Sequence, residues 1–395
     1  MILSWEFPPR IVGGLGRHVY WLSKSLANKG IDVTVLTIGY PDLPKKETVN
    51  GARVIRVPSW RFVSPDFLSW VDFVNLEMVK KALELVKKEG RFDLIHVHDW
   101  LTAFSGIALK HMLRAPLIAT FHATETGRRG GIFDEFQRRI HEIEWFLNFE
   151  AWKIICCSNY MKYEVIRDLG APIDKIVVIP NGIELEMFSK TIQINRDKYA
   201  LPWEKIVLFV GRMVYEKGPH ILIEAAHRAL MINNSLKFVL VGDGPMREQL
   251  MRRVYELGIA HKILFTGFID DEELIGLYQL ADVCVFPSLY EPFGIVVLEA
   301  MAAGCPVIVS SIGGMQEVID NDVDGCKVPP GDIEALKNAI LRVTSDDSFR
   351  KWLSENAKKK VRDYDWKNIS ERTIEIYNEV LESYERGEWK PTFQI

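Results

Sequence analysis

Short runs of β-branched and other apolar residues alternate with longer amphipathic stretches along the whole chain, a pattern that predicts parallel strands covered by helices. The first half offers VTVLT (33–37), ARVIRVP (52–58), LIHVHD (94–99), PLIATFH (116–122), KIICCS (153–158) and KIVVIPNG (175–182). The pattern then restarts with EKIVLFVGR (204–212), LKFVLVGDG (236–244), KILFTGF (262–268), ADVCVFPS (281–288) and CPVIVSS (305–311). Several of these runs are almost continuously apolar, as expected of strands buried on both faces. MILSW at the start begins almost inside a further apparent strand.

Between the two series, residues 180–203 carry turn signals at Pro180-Asn181-Gly182 and a polar middle, which puts a boundary near residue 185. The expected architecture is α/β: two Rossmann-like, doubly wound parallel sheets facing a cleft. The first domain spans 1–185 and the second 186–365. The tail 366–395 reads as an amphipathic helix with apolar Ile369, Ile374, Ile376, Tyr377, Val380 and Leu381, able to cross back onto the first domain.

Composition narrows the function. At 395 residues, 48% hydrophobic and 26% charged, the chain is long enough for two ordinary globular domains. A net charge of −4 without a basic block gives nucleic acid and polybasic membrane binding little footing, so the expected partner is small. The five cysteines are odd in number and lie mostly in apolar runs, which fits free thiols in a reducing compartment. No stretch is apolar over the roughly 18 to 20 residues of a membrane span, and no signal peptide opens the chain, so a cytoplasmic location is expected.

Ligands of open α/β sheets bind beyond the carboxyl ends of the strands, which directs attention to four loops. Gly13-Gly14 leads into an amphipathic helix, either as an anion-binding turn or merely as a tight one. Gly14-Leu15-Gly16 does not continue into a dinucleotide fingerprint, because Val19 stands where a third small residue is needed. In VGRMVYEKG, Arg212 and Lys217 offer two cations to a phosphate pair, or are two solvated surface charges. His96 and His98 share a strand face with Asp99 beside them, which raises a metal site; no further His or Cys cluster has ligand spacing, and no metal is expected. His122 ends another strand, suited to a hydrogen bond in a cleft or to a sheet edge.

The fourth loop is YEPFGIVVLE. Pro292 disfavours helix at Glu291, whereas GIVVLEAMAAG has good helix formers and stops at Gly304. Glu291 therefore belongs to a loop and Glu299 to a helix whose first amides lie around Phe293, Gly294 and Ile295. The two carboxylates suit sugar or ribose hydroxyls on either side of a bound anion, a hydrolytic acid and base, or simple surface charges.

Together the four loops resemble those of retaining glycosyltransferases of the two-domain GT-B type in family 4. The resemblance rests on E-x7-E from Glu291 to Glu299 within EPFGIVVLEAMAAGCPVIVSSIGGMQEVI, with GRMVYEKG, VGDGP, IPNGI and the Gly-Gly loop in family order. It implies that Arg212 and Lys217 hold the donor diphosphate and that Glu299 binds the ribose. Glu291, with the amides of Phe293, Gly294 and Ile295, would bind the donor sugar. His122 would touch that sugar near its 6-hydroxyl, Gly14 would let the first helix approach, and Asp99 and Arg128 would lie on the acceptor side. No metal is implied.

SWEFPPRIVGGLGRHV, HVHDW and FHATETGR look most like glycogen and starch synthase relatives and maltosyl-phosphate synthases. This implies a glucose donor, ADP- or UDP-glucose, and an α-1,4-glucan or maltooligosaccharide acceptor. One departure is Ile11, where classical bacterial glycogen synthases carry a lysine; Arg10 or Arg17 would have to replace its phosphate contact. Alternatives are a family member building another glycoconjugate (maltosyl phosphate, glycolipid, cell-wall glycan or compatible solute) and a regulatory sugar-nucleotide-binding protein. The aromatic segment with Trp60, Phe62, Phe67, Trp70 and Phe73 is read as packing in preference to a glucan platform.

Overall fold

The computed structural model describes residues 1–387. It divides into two compact units, one of residues 1–182 with the chain from Trp366 onward, the other Ile183–Asp365. Residues 388–395 of the expected terminal helix lie outside the described residues.

The first unit is built on β1 (Ile2–Leu3), β2 (Thr34–Ile38), β3 (Lys46–Val49), β4 (Ala52–Val57), β5 (Ile95–His98), β6 (Leu117–Phe121), β7 (Lys153–Cys156) and β8 (Ile176–Val178). Their order in the sheet is β3-β4-β2-β1-β5-β6-β7-β8. Leu3 pairs with Leu36 on one side and Val97 on the other, so the chain winds outward in both directions from β1. The central strands are buried on both faces, which is why their sequences run apolar. β3 was not expected: KETV alternates between exposed and half-buried positions and pairs antiparallel with β4 at the edge of the sheet. Its charged residues suit an edge and hide it from an apolar-run search.

Helix Trp366–Glu385 belongs to this unit, where Trp366, Ile369, Tyr377 and Val380 share a core with Leu22 and Leu26 of helix Gly14–Asn28. Gly182 sits against Trp366 so closely that a Cβ there would come within 2.6 Å of the indole.

The second unit contains β9 (Lys205–Val210), β10 (Leu236–Val241), β11 (Ile263–Gly267), β12 (Val283–Phe286), β13 (Val307–Ser310) and β14 (Cys326–Val328), all parallel, in the order β11-β10-β9-β12-β13-β14. Again the first strand of the unit is central and the winding reverses beside it, between β9 and β12. β14 escaped the sequence reading because it offers only three residues, one of them a lysine. All five cysteines are free and buried.

Candidate functional site

Where the winding reverses, the loops leaving two neighbouring strands splay apart and open a crevice at their carboxyl ends. In the second unit those loops follow β9 and β12. The first runs through Arg212 into a single 3-10 turn, Tyr215–Lys217, and then into helix Pro219–Leu230. The second carries Glu291 and ends at helix Ile295–Ala303. They are zipped together, since Leu289 N and Tyr290 N donate to Glu216 O at 2.8 and 3.2 Å. Gly218, at φ +67°, passes so near that a Cβ would lie 2.0 Å from Pro287 O.

This zipper brings the two charges together: Lys217 Nζ donates to Glu291 Oε2 at 2.5 Å. Arg212 is half exposed, its guanidinium 3.6 Å from Glu216. Glu299 lies inside helix Ile295–Ala303, buried, and its Oε2 accepts from the Tyr278 hydroxyl at 3.0 Å. Gly294 is the residue before that helix, with φ +95° and no side-chain cap, so the amides and positive dipole end of the helix are met by no capping side chain. Phe293 is buried, with its ring 6.2 Å from that of Tyr364.

Two glycine pairs that sequence reasoning quoted without a role hold these loops. Gly314 N donates to Glu291 O at 3.0 Å, and Gly313, at φ +59°, leaves no room for a Cβ, which would sit 1.8 Å from the same oxygen. Gly242 and Gly244 back the other loop, where Gly211 N donates to Val241 O at 3.0 Å and Met213 N to Asp243 O at 2.8 Å.

In the first unit the reversal lies between β1 and β5, flanked by the Gly-Gly loop and by His98-Asp99. Here the sequence reading missed Glu6. Its Oε2 accepts from Val12 N at 2.9 Å and Gly13 N at 3.0 Å, while Trp5 Nε1 donates to Oε1 at 3.0 Å. A buried carboxylate thus pins the loop from which Gly14 starts the first helix. Arg10, considered as a phosphate contact, is exposed and pairs with Asp42 at 2.9 Å.

One turn into that helix, His18 meets His98 and His122, with ring centroids 5.3 and 4.6 Å away. His18 Nδ1 is 2.7 Å from Asn181 Oδ1, and His98 Nδ1 is 3.1 Å from His122 Nε2. Burial pushes all three imidazoles below their ordinary value, His122 to about 3, which keeps them neutral. His96 packs beside His98, with centroids 4.3 Å apart, but its two nitrogens are engaged elsewhere, 2.7 Å from Tyr377 Oη and from Thr120 Oγ1. The histidine grouping considered from sequence, His96, His98 and Asp99, is therefore replaced by His18, His98 and His122.

Asp99 is buried at φ +56°, and its Oδ1 accepts from His122 N at 2.7 Å, fixing the turn that presents His122. Burial pushes its carboxyl up to about 6, although the His122 amide and the Arg128 charge pull the other way. Arg128 itself is exposed on the short helix Glu125–Arg129. Below it, Glu144 Oε1 accepts from Glu125 N at 2.9 Å.

The aromatic segment packs upon itself: Phe62 stacks on Phe73 and Phe67 on Trp70, with centroids 4.6 and 5.8 Å apart. Trp60, Phe62 and Phe67 nonetheless keep 39%, 38% and 41% exposure, so packing accounts for only part of each ring. Among the described residues no helix is long and apolar enough to cross a membrane.

Both units have counterparts among known proteins. Residues 12–187 match the model described as Glycosyltransferase Family 4, and residues 191–360 that of Glycosyl transferases group 1. An uncharacterized glycosyltransferase of Methanocaldococcus jannaschii is 42% identical over 96% of this chain and 98% of its own length. A glycogen synthase of Mycobacterium tuberculosis is 34% identical over 99% of this chain and 96% of its own. Among solved structures, a sucrose-phosphate synthase from Thermosynechococcus elongatus superposes with a TM-score of 0.84 at 28% identity, covering 97% of this chain and 98% of that one.

Proposed function

The chain belongs to glycosyltransferase family 4 and has the GT-B fold, and on that premise we propose that it moves glucose from ADP- or UDP-glucose to an α-1,4-glucan or maltooligosaccharide, with retention at the anomeric carbon. The observation that carries the donor reading is the Lys217–Glu291 contact at the point where the second sheet reverses. A cation and a hydroxyl-binding carboxylate meet there, at the strand ends where α/β sheets bind ligands. The similarity to the Mycobacterium tuberculosis glycogen synthase, over 99% of this chain, supports glucose and glucan over other family substrates.

In this reading Arg212 and Lys217 grip the diphosphate and neutralise it as it leaves, aided by the amides of Phe293, Gly294 and Ile295. Glu299 takes the ribose hydroxyls and Glu291 those of the sugar. His122, neutral and held by Asp99, donates or accepts near the 6-hydroxyl, and Gly14 lets the first helix approach. Asp99 and Arg128 belong to the acceptor side. Catalysis is positioning plus electrostatic stabilisation, with the acceptor hydroxyl attacking the face from which the diphosphate departs. No metal takes part, and the enzyme works in the cytoplasm.

The test is a panel of nucleotide sugars offered with maltooligosaccharides. The expected result is release of nucleoside diphosphate and lengthening of the oligosaccharide with a glucose donor only. Turnover of a different sugar, with every glucose donor inert, would remove the glucan assignment and leave the family untouched.

A further inference from the structure

We propose that His18, His98 and His122 form a binding site for a divalent transition-metal ion, of which Zn2+ is the type, and that the ion acts there as a blocker of the sugar site and not as a cofactor. One ring nitrogen from each histidine lies within 4.8 Å of the others. Two of them, His98 Nδ1 and His122 Nε2, are 3.1 Å apart. Two imidazoles on one tetrahedral ion, with bonds of about 2.0 to 2.1 Å, stand about 3.3 Å apart, so this pair needs almost no movement to share a metal in place of a proton.

The hydrogen-bond pattern suits it as well, because metal binds the lone pair of a neutral imidazole. With both facing nitrogens on the metal, each ring keeps one proton on its other nitrogen, so neither changes charge; at His98 that nitrogen, Nε2, is buried and meets no acceptor. His18 brings the support that metal-binding histidines characteristically have: its Nδ1–H donates to Asn181 Oδ1 at 2.7 Å, which leaves Nε2 with the lone pair. Asn181 is 163 positions away in sequence, in the PNG turn that was read as a boundary signal and a family motif but given no site role. The third neighbour in the row, His96, is excluded because both its nitrogens are engaged.

Three neutral nitrogens and no carboxylate select Zn2+, Co2+, Ni2+ or Cu2+ over Mg2+ and Ca2+, which need oxygen. The blocking effect rests on the proposed role of His122 in holding the donor sugar; the binding itself does not.

Binding is therefore tested first, on the full-length metal-free protein without any substrate, by titrating CoCl2 and recording visible absorption. One equivalent with the intense bands of a four-coordinate ion, displaced by ZnCl2, is expected. His98→Gln and His18→Gln should each lose at least about tenfold in affinity, and Asn181→Ala about tenfold, with circular dichroism confirming that they fold. His261→Gln, an exposed histidine of the other unit, should bind like the wild type. Equal binding by the wild type and both folded site variants, or octahedral bands only, overturns the site. Turnover should fall with ZnCl2 and return with EDTA; binding without loss of turnover overturns the blocking role alone.

Discussion

Lys217 and Glu291 satisfy each other: the ammonium donates to the carboxylate at 2.5 Å, and both side chains are largely shielded from water. In the proposed reading a donor takes over both partners, the diphosphate accepting from Lys217 and the sugar hydroxyls donating to Glu291. Lys217 gains most of its work as negative charge grows on the departing diphosphate. Lys217→Ala is therefore expected to lower kcat by about 10² to 10³ with a smaller change in donor KM, as when one charge-stabilising donor is removed elsewhere. Glu299 is assigned in that reading to ribose hydroxyls, which do not change during transfer. Glu299→Gln, which keeps an acceptor for Tyr278, should raise donor KM about tenfold with kcat nearly unchanged, since a charged hydrogen bond contributes about 1.5 to 3 kcal/mol. Steady-state kinetics on both variants checks the split, and unchanged values in both would remove the assignment.

The Glu291 loop depends on glycine backbone that no side chain can replace. At Gly313 a Cβ would stand 1.8 Å from Glu291 O, and φ is +59°. At Gly258 φ is +71° but nothing lies within 4 Å of the added carbon. The two alanine substitutions separate backbone strain from collision. Gly258→Ala should cost about 1 to 2 kcal/mol from the left-handed conformation. Gly313→Ala should cost about 2 kcal/mol more and also impair turnover, because the Glu291 carbonyl has to move. Chemical denaturation and kinetics on the pair measure both effects; equal destabilisation would show that the contact at Gly313 relaxes freely.

What the sequence revealed follows from how local each signal is. The buried parallel strands announced themselves as apolar runs, and Pro292 before a run of helix formers placed Glu291 and Glu299 in different local structures, as observed. β3 was missed because an edge strand favours charge, and β14 because three residues carry no period. The pairing of His18 with Asn181 joins positions 163 residues apart, and no local pattern encodes which two turns a sheet will bring together. Glu6 lay in plain view in SWEFPP, but one carboxylate in a loop has no signature until the amides that it accepts from are located in space.

Burial pushes the Glu144 carboxyl well above its ordinary value near 4.5, against the Glu125 amide that favours the ion, so the folded protein prefers it protonated. A raised acid contributes stability that is complete below 4.5 and is lost as pH rises through its value in the fold. Glu144→Gln keeps the oxygen that accepts from Glu125 N and has nothing to ionise. Its melting temperature relative to wild type should therefore rise between pH 5 and pH 8, by up to about 1.4 kcal/mol in stability for each pH unit in which only the unfolded wild type is ionised. Parallel pH–melting curves check the sign. A difference that stays flat across that range would mean that Glu144 is ionised in the fold.

Glu6 gives the sharpest test of how the Gly-Gly loop is held. Its Oε2 accepts two amides, Val12 N and Gly13 N, and its Oε1 accepts from Trp5. Glu6→Gln can keep the first pair through its carbonyl oxygen but offers an NH2 where Trp5 Nε1 donates. Glu6→Ala loses all three bonds and leaves the amides of Val12 and Gly13 without an acceptor. If the carboxylate serves chiefly to shape the loop in front of Gly14, glutamine should retain most of the turnover. Alanine should lose at least about tenfold, equivalent to about 1.4 kcal/mol, with faster hydrogen exchange at Val12 and Gly13. A glutamine variant as impaired as alanine, with loop amides still protected, would instead assign Glu6 a direct contact with substrate.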